Sequence, residues 1–265
     1  GCNVIARELG ITKSLSKKLR HVTNSEISDK YLYKKYSNQD ISNLISCIIG
    51  DGGLFIPKDS NSNCYGKISH IGVNYDYLLY KYDTIKDFSN KTHRGRKACK
   101  RKVNNKIVNC KEEFVINIKA SPYNKLIYDL IYVDGKKAIT KKSLEYFNDM
   151  TLAMLYFDDG SYTKSSNTYR IAMGNMEVQY IELFQNWLKD KYNINTTRYN
   201  TYGYYSIYIR RDSHNNLENV LKQYLVPSME YKIKGEVKSD KLLGTPEEDN
   251  QQPITNLNGQ CGFND

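Results

Sequence analysis

The chain has 265 residues, 40% apolar and 26% charged, enough for one large or two small folded domains and too apolar for a disordered polyelectrolyte. An excess of 39 Lys and Arg over 29 Asp and Glu gives a net charge of +10 and points to a polyanionic partner, nucleic acid before a membrane surface. No apolar run approaches the ~20 residues of a membrane helix and no basic-then-apolar leader opens the sequence, so an intracellular location is expected, in cytoplasm, nucleoid or organelle matrix.

Residues 1–37 read as an N-terminal extension. Within it Ile5-Ala-Arg-Glu-Leu9-Gly10-Ile11 to Leu19 looks like a fragment of a helix-turn-helix turning at Gly10, with a short helix packed on the main domain as the plainer reading. Ser37 and Asn38 are good N-caps, with Asp40 in the first turn of a helix carrying Ile41, Leu44, Ile45, Ile48 and Ile49. Leu54–Pro57 and Tyr65–Val73 read as a hairpin, followed by a helix over 77–88. Next comes a basic run from Lys91 to Lys106 with eight cations and no acid, expected to be a mobile hairpin tip that orders on an anion. A strand with Phe114, Ile116 and Ile118 on one face and a helix over 121–132 close this half at Asp134-Gly135.

The same order then repeats. A helix over 143–158 leads, a hairpin pairs Tyr162–Lys164 with Tyr169–Met173, and a helix spans Val178–Tyr192. A second hairpin, Thr196–Asn200 with Tyr204–Arg210, turns at Tyr202-Gly203 before a last helix over 213–224. Internal duplication implies a pseudo-twofold domain. The expected boundaries are 1–37 for the extension, 38–142 and 143–235 for the halves, and 236–265 for a polar, disordered tail. Six cysteines (2, 47, 64, 99, 110 and 261) show no Cys-x-x-Cys pairing. Cys47 reads as a small core residue, and Cys99 and Cys110 with His93 match no usual zinc finger, so free thiols are the expectation.

Each half opens with an apolar run ending in an acid and a glycine: Leu44-Ile-Ser-Cys-Ile-Ile-Gly50-Asp51-Gly52 and Leu152-Ala-Met-Leu-Tyr-Phe-Asp158-Asp159-Gly160. Glycine is an ordinary helix stop, but a carboxylate at the negative end of a helix is disfavoured by roughly 0.3–1 kcal/mol. Two such acids, brought together if the helices pack side by side, repel unless a cation lies between them, and oxygen ligands favour a hard divalent ion such as Mg2+.

These nonapeptides resemble those of the LAGLIDADG homing endonuclease family, over about residues 38–234. The resemblance implies an α+β fold, a duplicated αββαββα saddle of two antiparallel sheets about a pseudo-twofold interface of motif helices. It implies a single chain that hydrolyses phosphodiesters in both strands of a long, asymmetric double-stranded DNA target. Asp51 and Asp159 would hold Mg2+ or Mn2+ with the backbone carbonyls of Gly50 and Asp158, and Lys137 and Lys232 would act beside the attacked phosphate. Lys136 is a close alternative to Lys137, and Asn175 a candidate for orienting water. Met154 and Asp158 stand where the family often has small residues, so the helix contact should lean on Ser46 and Gly50, with Ala153 nearby.

Strand ribbons can read base edges in the major groove. The residues expected on DNA are Lys67, His70, Arg94, Arg96, Lys97, Lys100, Arg101 and Lys119 in the first half, and Lys164, Arg170, Arg198, Asn200, Tyr204, Tyr208 and Arg210 in the second. Two other readings stand beside the nuclease: a non-cleaving DNA-binding regulator, and a maturase whose scaffold grips intron RNA.

Overall fold

A computed structural model describes residues 37–57, 64–103 and 106–233. The expected helix-turn-helix-like segment and polar tail lie outside the described residues. Ser37 starts the described chain as a cap: its side chain accepts from the Asp40 amide while Asp40 accepts from the Ser37 amide, closing a capping box.

The first half runs α1 (Asn38–Ile48), β1 (Gly53–Phe55), β2 (Cys64–Ile71), α2 (Tyr75–Ile85), β3 (His93–Arg96), β4 (Cys99–Val103), β5 (Lys106–Cys110), β6 (Glu113–Ser121) and α3 (Pro122–Ile131). A connector follows, with β7 (Tyr132–Val133), β8 (Lys136–Lys137) and α4 (Lys141–Leu144). The second half is α5 (Asp149–Asp159), β9 (Gly160–Thr163), β10 (Thr168–Gly174), α6 (Val178–Tyr192), β11 (Thr196–Thr201), β12 (Tyr204–Ile209) and α7 (His214–Leu221). The two main sheets are antiparallel and ordered β1-β2-β6-β3 and β9-β10-β12-β11. Within these two sheets each strand has a counterpart in the same place, so the duplicated αββαββα architecture is present.

Three features differ from the sequence expectation. The helix expected over 143–158 is broken, because Asn148 accepts from the Thr151 amide and starts α5 afresh at Asp149. The basic run is divided: β3 is an edge strand of the main sheet, while β4 and β5 form a separate two-stranded ribbon. Asp134-Gly135, expected only to end a helix, makes a turn with φ of 49° and 74° that joins β7 to β8. Two consecutive positive φ values suit a two-residue hairpin, where glycine and aspartate are favoured.

α5 is apolar on every face and is buried from Thr151 through Phe157, since it packs on α1, α7, β9 and β10. α1 lies beside it. Ser46 Oγ and Thr151 Oγ1 share a hydrogen bond of 2.7 Å, Cys47 Sγ lies 3.7 Å from Met154 Sδ, and Gly50 abuts Asp158. These contacts advance in the same direction along both helices, so the helices are parallel and their C-terminal ends coincide. Aligned dipoles oppose that arrangement by about 1 kcal/mol or less, whereas each fully buried Leu, Ile, Met or Phe contributes roughly 1.5–3 kcal/mol. Burial wins. Among the described residues no helix is long and apolar enough to cross a membrane.

The seam leaves no room at Gly50, where an added Cβ would overlap the Asp158 carboxylate. Gly50→Ala is expected to destabilise the fold by about 1–3 kcal/mol through overpacking, measurable as a lowered urea midpoint at unchanged m-value.

Candidate active site

The two motif helices end differently. α1 is capped at Ile49, so Asp51 lies two residues beyond it, while α5 continues through Asp159 and passes into β9 at Gly160. Both acids nevertheless emerge at the same end of the seam. Burial and then the neighbouring Asp158 and Asp51 charges push the Asp159 carboxyl up to about 6. Burial and Asp158 raise Asp51 in the same way. Like charges that repel in this way favour a cation beside them.

Two lysines frame them. Lys137, the last residue of β8, donates to the carbonyl oxygen of Gly50. Lys232, at the end of a 3-10 turn (Pro227–Lys232), donates to the carbonyls of Phe157 at 2.5 Å and Asp158 at 3.0 Å. Tyr156 Oη in turn donates to the Lys232 carbonyl at 2.7 Å. Lys136 is exposed, so it is Lys137 that the β7–β8 turn delivers to the helix end. Burial lowers both ammonium groups, and the acids resist that shift in a crossed order. Lys137 feels Asp159 above Asp51, and Lys232 feels Asp51 above Asp159. Each lysine is anchored to the motif-helix end of its own half. Gly50, Lys137, Asp159 and Asn175 line a cleft of about 250 Å³.

Beneath these groups lies a set that the sequence reading missed. The Asp158 side chain, expected only to lend its carbonyl, is fully buried and accepts from Lys81 Nζ at 2.7 and 2.8 Å, Tyr77 Oη at 3.0 Å and the Asp51 amide at 2.9 Å. Burial would raise its carboxyl, but the Lys81 ammonium overrides that and holds it below the ordinary value. His70, expected on DNA, is instead buried against this group, 3.7 Å from Asp51 and 3.9 Å from Asp158. Burial, with the Lys81 charge second, lowers its imidazole to about 4, so it is neutral near pH 7. The missed signal was in α2, where Lys81 shares the buried face of Tyr77, Leu78 and Ile85. A lysine on an apolar stripe implies a buried partner.

Asp51, His70 and Asp158 present ligand atoms within 4.8 Å of one another, but Lys81 already neutralises Asp158. The better fit for a hard divalent cation is exposed Asp51 with half-buried Asp159 and the carbonyls of Gly50 and Asp158. All are oxygen donors, and each carbonyl retains a second lone pair beside its lysine.

Residues 41–217 match the LAGLIDADG DNA endonuclease family. The chain belongs to that family. It is 34% identical over 112 residues to the intron-encoded endonuclease ai4 of Dictyostelium discoideum, covering 41% of this chain and 69% of that protein. It is 31% identical over 104 residues to the cytochrome b mRNA maturase bI2 of Debaryomyces hansenii, covering 38% of this chain and 39% of that protein. A solved structure of the homing endonuclease I-WcaI bound to its DNA recognition sequence has the same fold, with a TM-score of 0.63 and 19% identity over 78% of this chain and 91% of that one.

On this LAGLIDADG scaffold the residues expected on DNA fall into three groups. Lys67, Lys119, Lys164, Arg170, Tyr204 and Arg210 are exposed on or beside the outer sheet faces, and Tyr208 is half-buried there. Arg94 and Arg96 are exposed but pair with Glu112 at 2.6 Å and Glu113 at 3.2 Å, so the basic run is partly neutralised. Glu113 also binds Lys67 at 3.3 Å. Lys97 and Lys100 are exposed at the β4–β5 ribbon, which also carries Arg101. The third group faces inward. Arg198 stands opposite Ile207 and Asn200 opposite Tyr205, on the side packed toward the helices. Arg198 bonds Glu182 of α6 at 2.8 Å, and Asn200 accepts from the Gly203 amide in the turn. Cys99 and Cys110 are ladder partners in the ribbon and are free thiols, as is buried Cys47.

His70 and Asp159 shift stability with pH in opposite senses. As pH falls from 6.5 to about 4, the unfolded chain protonates His70 before the native state does, and stability is lost. Between about 6 and 3.8 the native state holds a proton on Asp159 that the unfolded chain releases, so stability is gained as pH falls. Comparison with His70→Gln isolates the first effect. Wild type should lose up to about 3 kcal/mol relative to the variant between pH 7 and pH 4, read from urea unfolding at each pH.

Proposed function

We propose that the chain is a site-specific homing endonuclease that hydrolyses phosphodiesters in both strands of a long, asymmetric double-stranded DNA target, as a single chain and with a divalent metal. The observation that carries this reading is the paired set of acids and lysines at one end of the parallel seam, with Lys137 bonded to the carbonyl before Asp51 and Lys232 to the carbonyl before Asp159. Two strands require two centres, and the duplication supplies one acid and one lysine for each.

Asp51 and Asp159, with the carbonyls of Gly50 and Asp158, would hold Mg2+ or Mn2+. When bound, the metal supplies positive charge beside the phosphate and makes water more acidic. The rest of the work belongs to the chain. Lys137 and Lys232, fixed by the carbonyls they bond, hold their ammonium groups where charge grows on the attacked phosphate. Asn175, in the same cleft, is placed to hydrogen-bond a water. The outer faces of the two sheets hold the duplex, with lysines and arginines on phosphates and Tyr204, Tyr208 and Arg170 toward base edges. A non-cleaving regulator would need neither the acids nor the lysines. The similarity to the bI2 maturase supports a second reading, in which this scaffold also grips intron RNA; faster splicing of the host intron by the purified protein would establish it.

Incubation with Mg2+ and a plasmid carrying the uninterrupted form of the locus that encodes the chain should give a specific double-strand break. Asp51→Asn or Asp159→Asn should lower linearisation by at least about a hundredfold while changing DNA affinity less than about threefold, measured by plasmid cleavage and gel shift. Binding without cutting by wild type would favour the regulator.

Asp159 must lose its proton to serve as a ligand. At subsaturating Mg2+ the cleavage rate should therefore fall about tenfold per pH unit below about 6 and flatten above it, as rates at fixed DNA concentration will report.

A further inference from the structure

Gly50 and Asp158 occupy the same motif position, the residue before the acid, yet they behave oppositely. Gly50 has no side chain, and the Asp158 carboxylate fills the space this leaves on the other helix. Its oxygens take two bonds from Lys81, one from Tyr77 and one from the backbone amide of Asp51. The side chains of Lys81 and Asp158 are both 0% exposed. A buried pair of this kind is weak evidence for stability, since apolar replacement of both partners is often neutral. What it reaches is more telling. Asp159 is still inside α5 and is oriented by the helix itself, whereas Asp51 stands past the cap of α1. The amide of Asp51 is held by a side chain from the other half of the molecule.

We propose that Asp158 and Lys81 are positioning residues that clamp the backbone of Asp51 across the seam and so set the geometry of one of the two centres. Lys81 keeps Asp158 ionised and aimed, and Asp158 fixes the amide next to the catalytic carboxylate. The hydrogen bond of the clamp goes to the backbone of Asp51, whereas Asp159 is held by its helix, so losing that bond should unbalance cutting of the two strands. This part of the inference rests on the nuclease reading; the clamp itself does not.

The test compares two charge-balanced double variants of the full chain, Asp158→Asn/Lys81→Met and Asp158→Leu/Lys81→Met. They are similar in shape and differ in whether an acceptor remains for the Asp51 amide. Without metal, hydrogen exchange followed by NMR should show the Asp51 amide at least about tenfold less protected in the Leu variant than in the Asn variant, with Asp159 unchanged. With Mg2+ and the supercoiled locus plasmid, the Leu variant should accumulate nicked circles, its second cut slowed at least about tenfold relative to its first, while in the Asn variant the two cuts should differ in rate by less than about threefold. Equal protection of Asp51 in the two variants, or equal slowing of both cuts, would overturn the proposal. If neither variant folds, the wild-type chain decides: an Asp51 amide as protected as that of Asp159 sustains the clamp, and a freely exchanging one ends it. A wild-type chain that cuts neither strand refutes the nuclease reading, and the exchange measurement still judges the clamp.

Discussion

Like charges at the shared negative end of two parallel helices are the constraint around which this molecule is arranged. Burial and the Asp158 charge raise both Asp51 and Asp159, Asp51 adds to the rise of Asp159, and the aligned helix dipoles add to the strain. The apolar seam from Ser46 to Asp158 supplies the free energy that holds them there. Three cations and one uncharged imidazole surround the acids. Lys137 and Lys232 bond the carbonyls at the helix ends, Lys81 neutralises Asp158, and His70 stays uncharged under burial. A hard divalent cation is the remaining complement that the oxygen donors fit.

The placement of the lysines follows from topology. Each lysine comes from the segment after the last helix of its own half, and that segment returns to its own motif helix. The seam then gathers both lysines and both acids at one end. A change in the crossing of the two helices would therefore act on both centres together, although each retains its own support. That support is unequal, since α5 carries Asp159 directly and Asp51 depends on a side-chain contact.

Much of this was legible in the sequence where the signal is local. α6 spans Val178–Tyr192 as read, because its amphipathic period is uninterrupted and Asn193, in the left-handed conformation, closes it. Asp51, Asp159, Lys137 and Lys232 were readable from motif and repeat. The failures are of two physical kinds. Arg198 was expected on DNA without counting its register across the Tyr202-Gly203 turn, which sets it opposite core-facing Ile207. Lys81 and Asp158 are 77 residues apart, and no local pattern names a partner at that distance. His70 fell in an alternating strand whose inward face meets the acids in place of an ordinary apolar core.

The occupants of the seam also bear on how the halves relate. A pair of second halves would press two Asp158 carboxylates together with no Lys81 between them, because that lysine belongs to the first half. A pair of first halves would bury two ammonium groups with only Gly50 facing each. Neither self-pairing is electrostatically tolerable at burial of this depth, so one lysine and one aspartate make the two halves complements in charge as well as in shape.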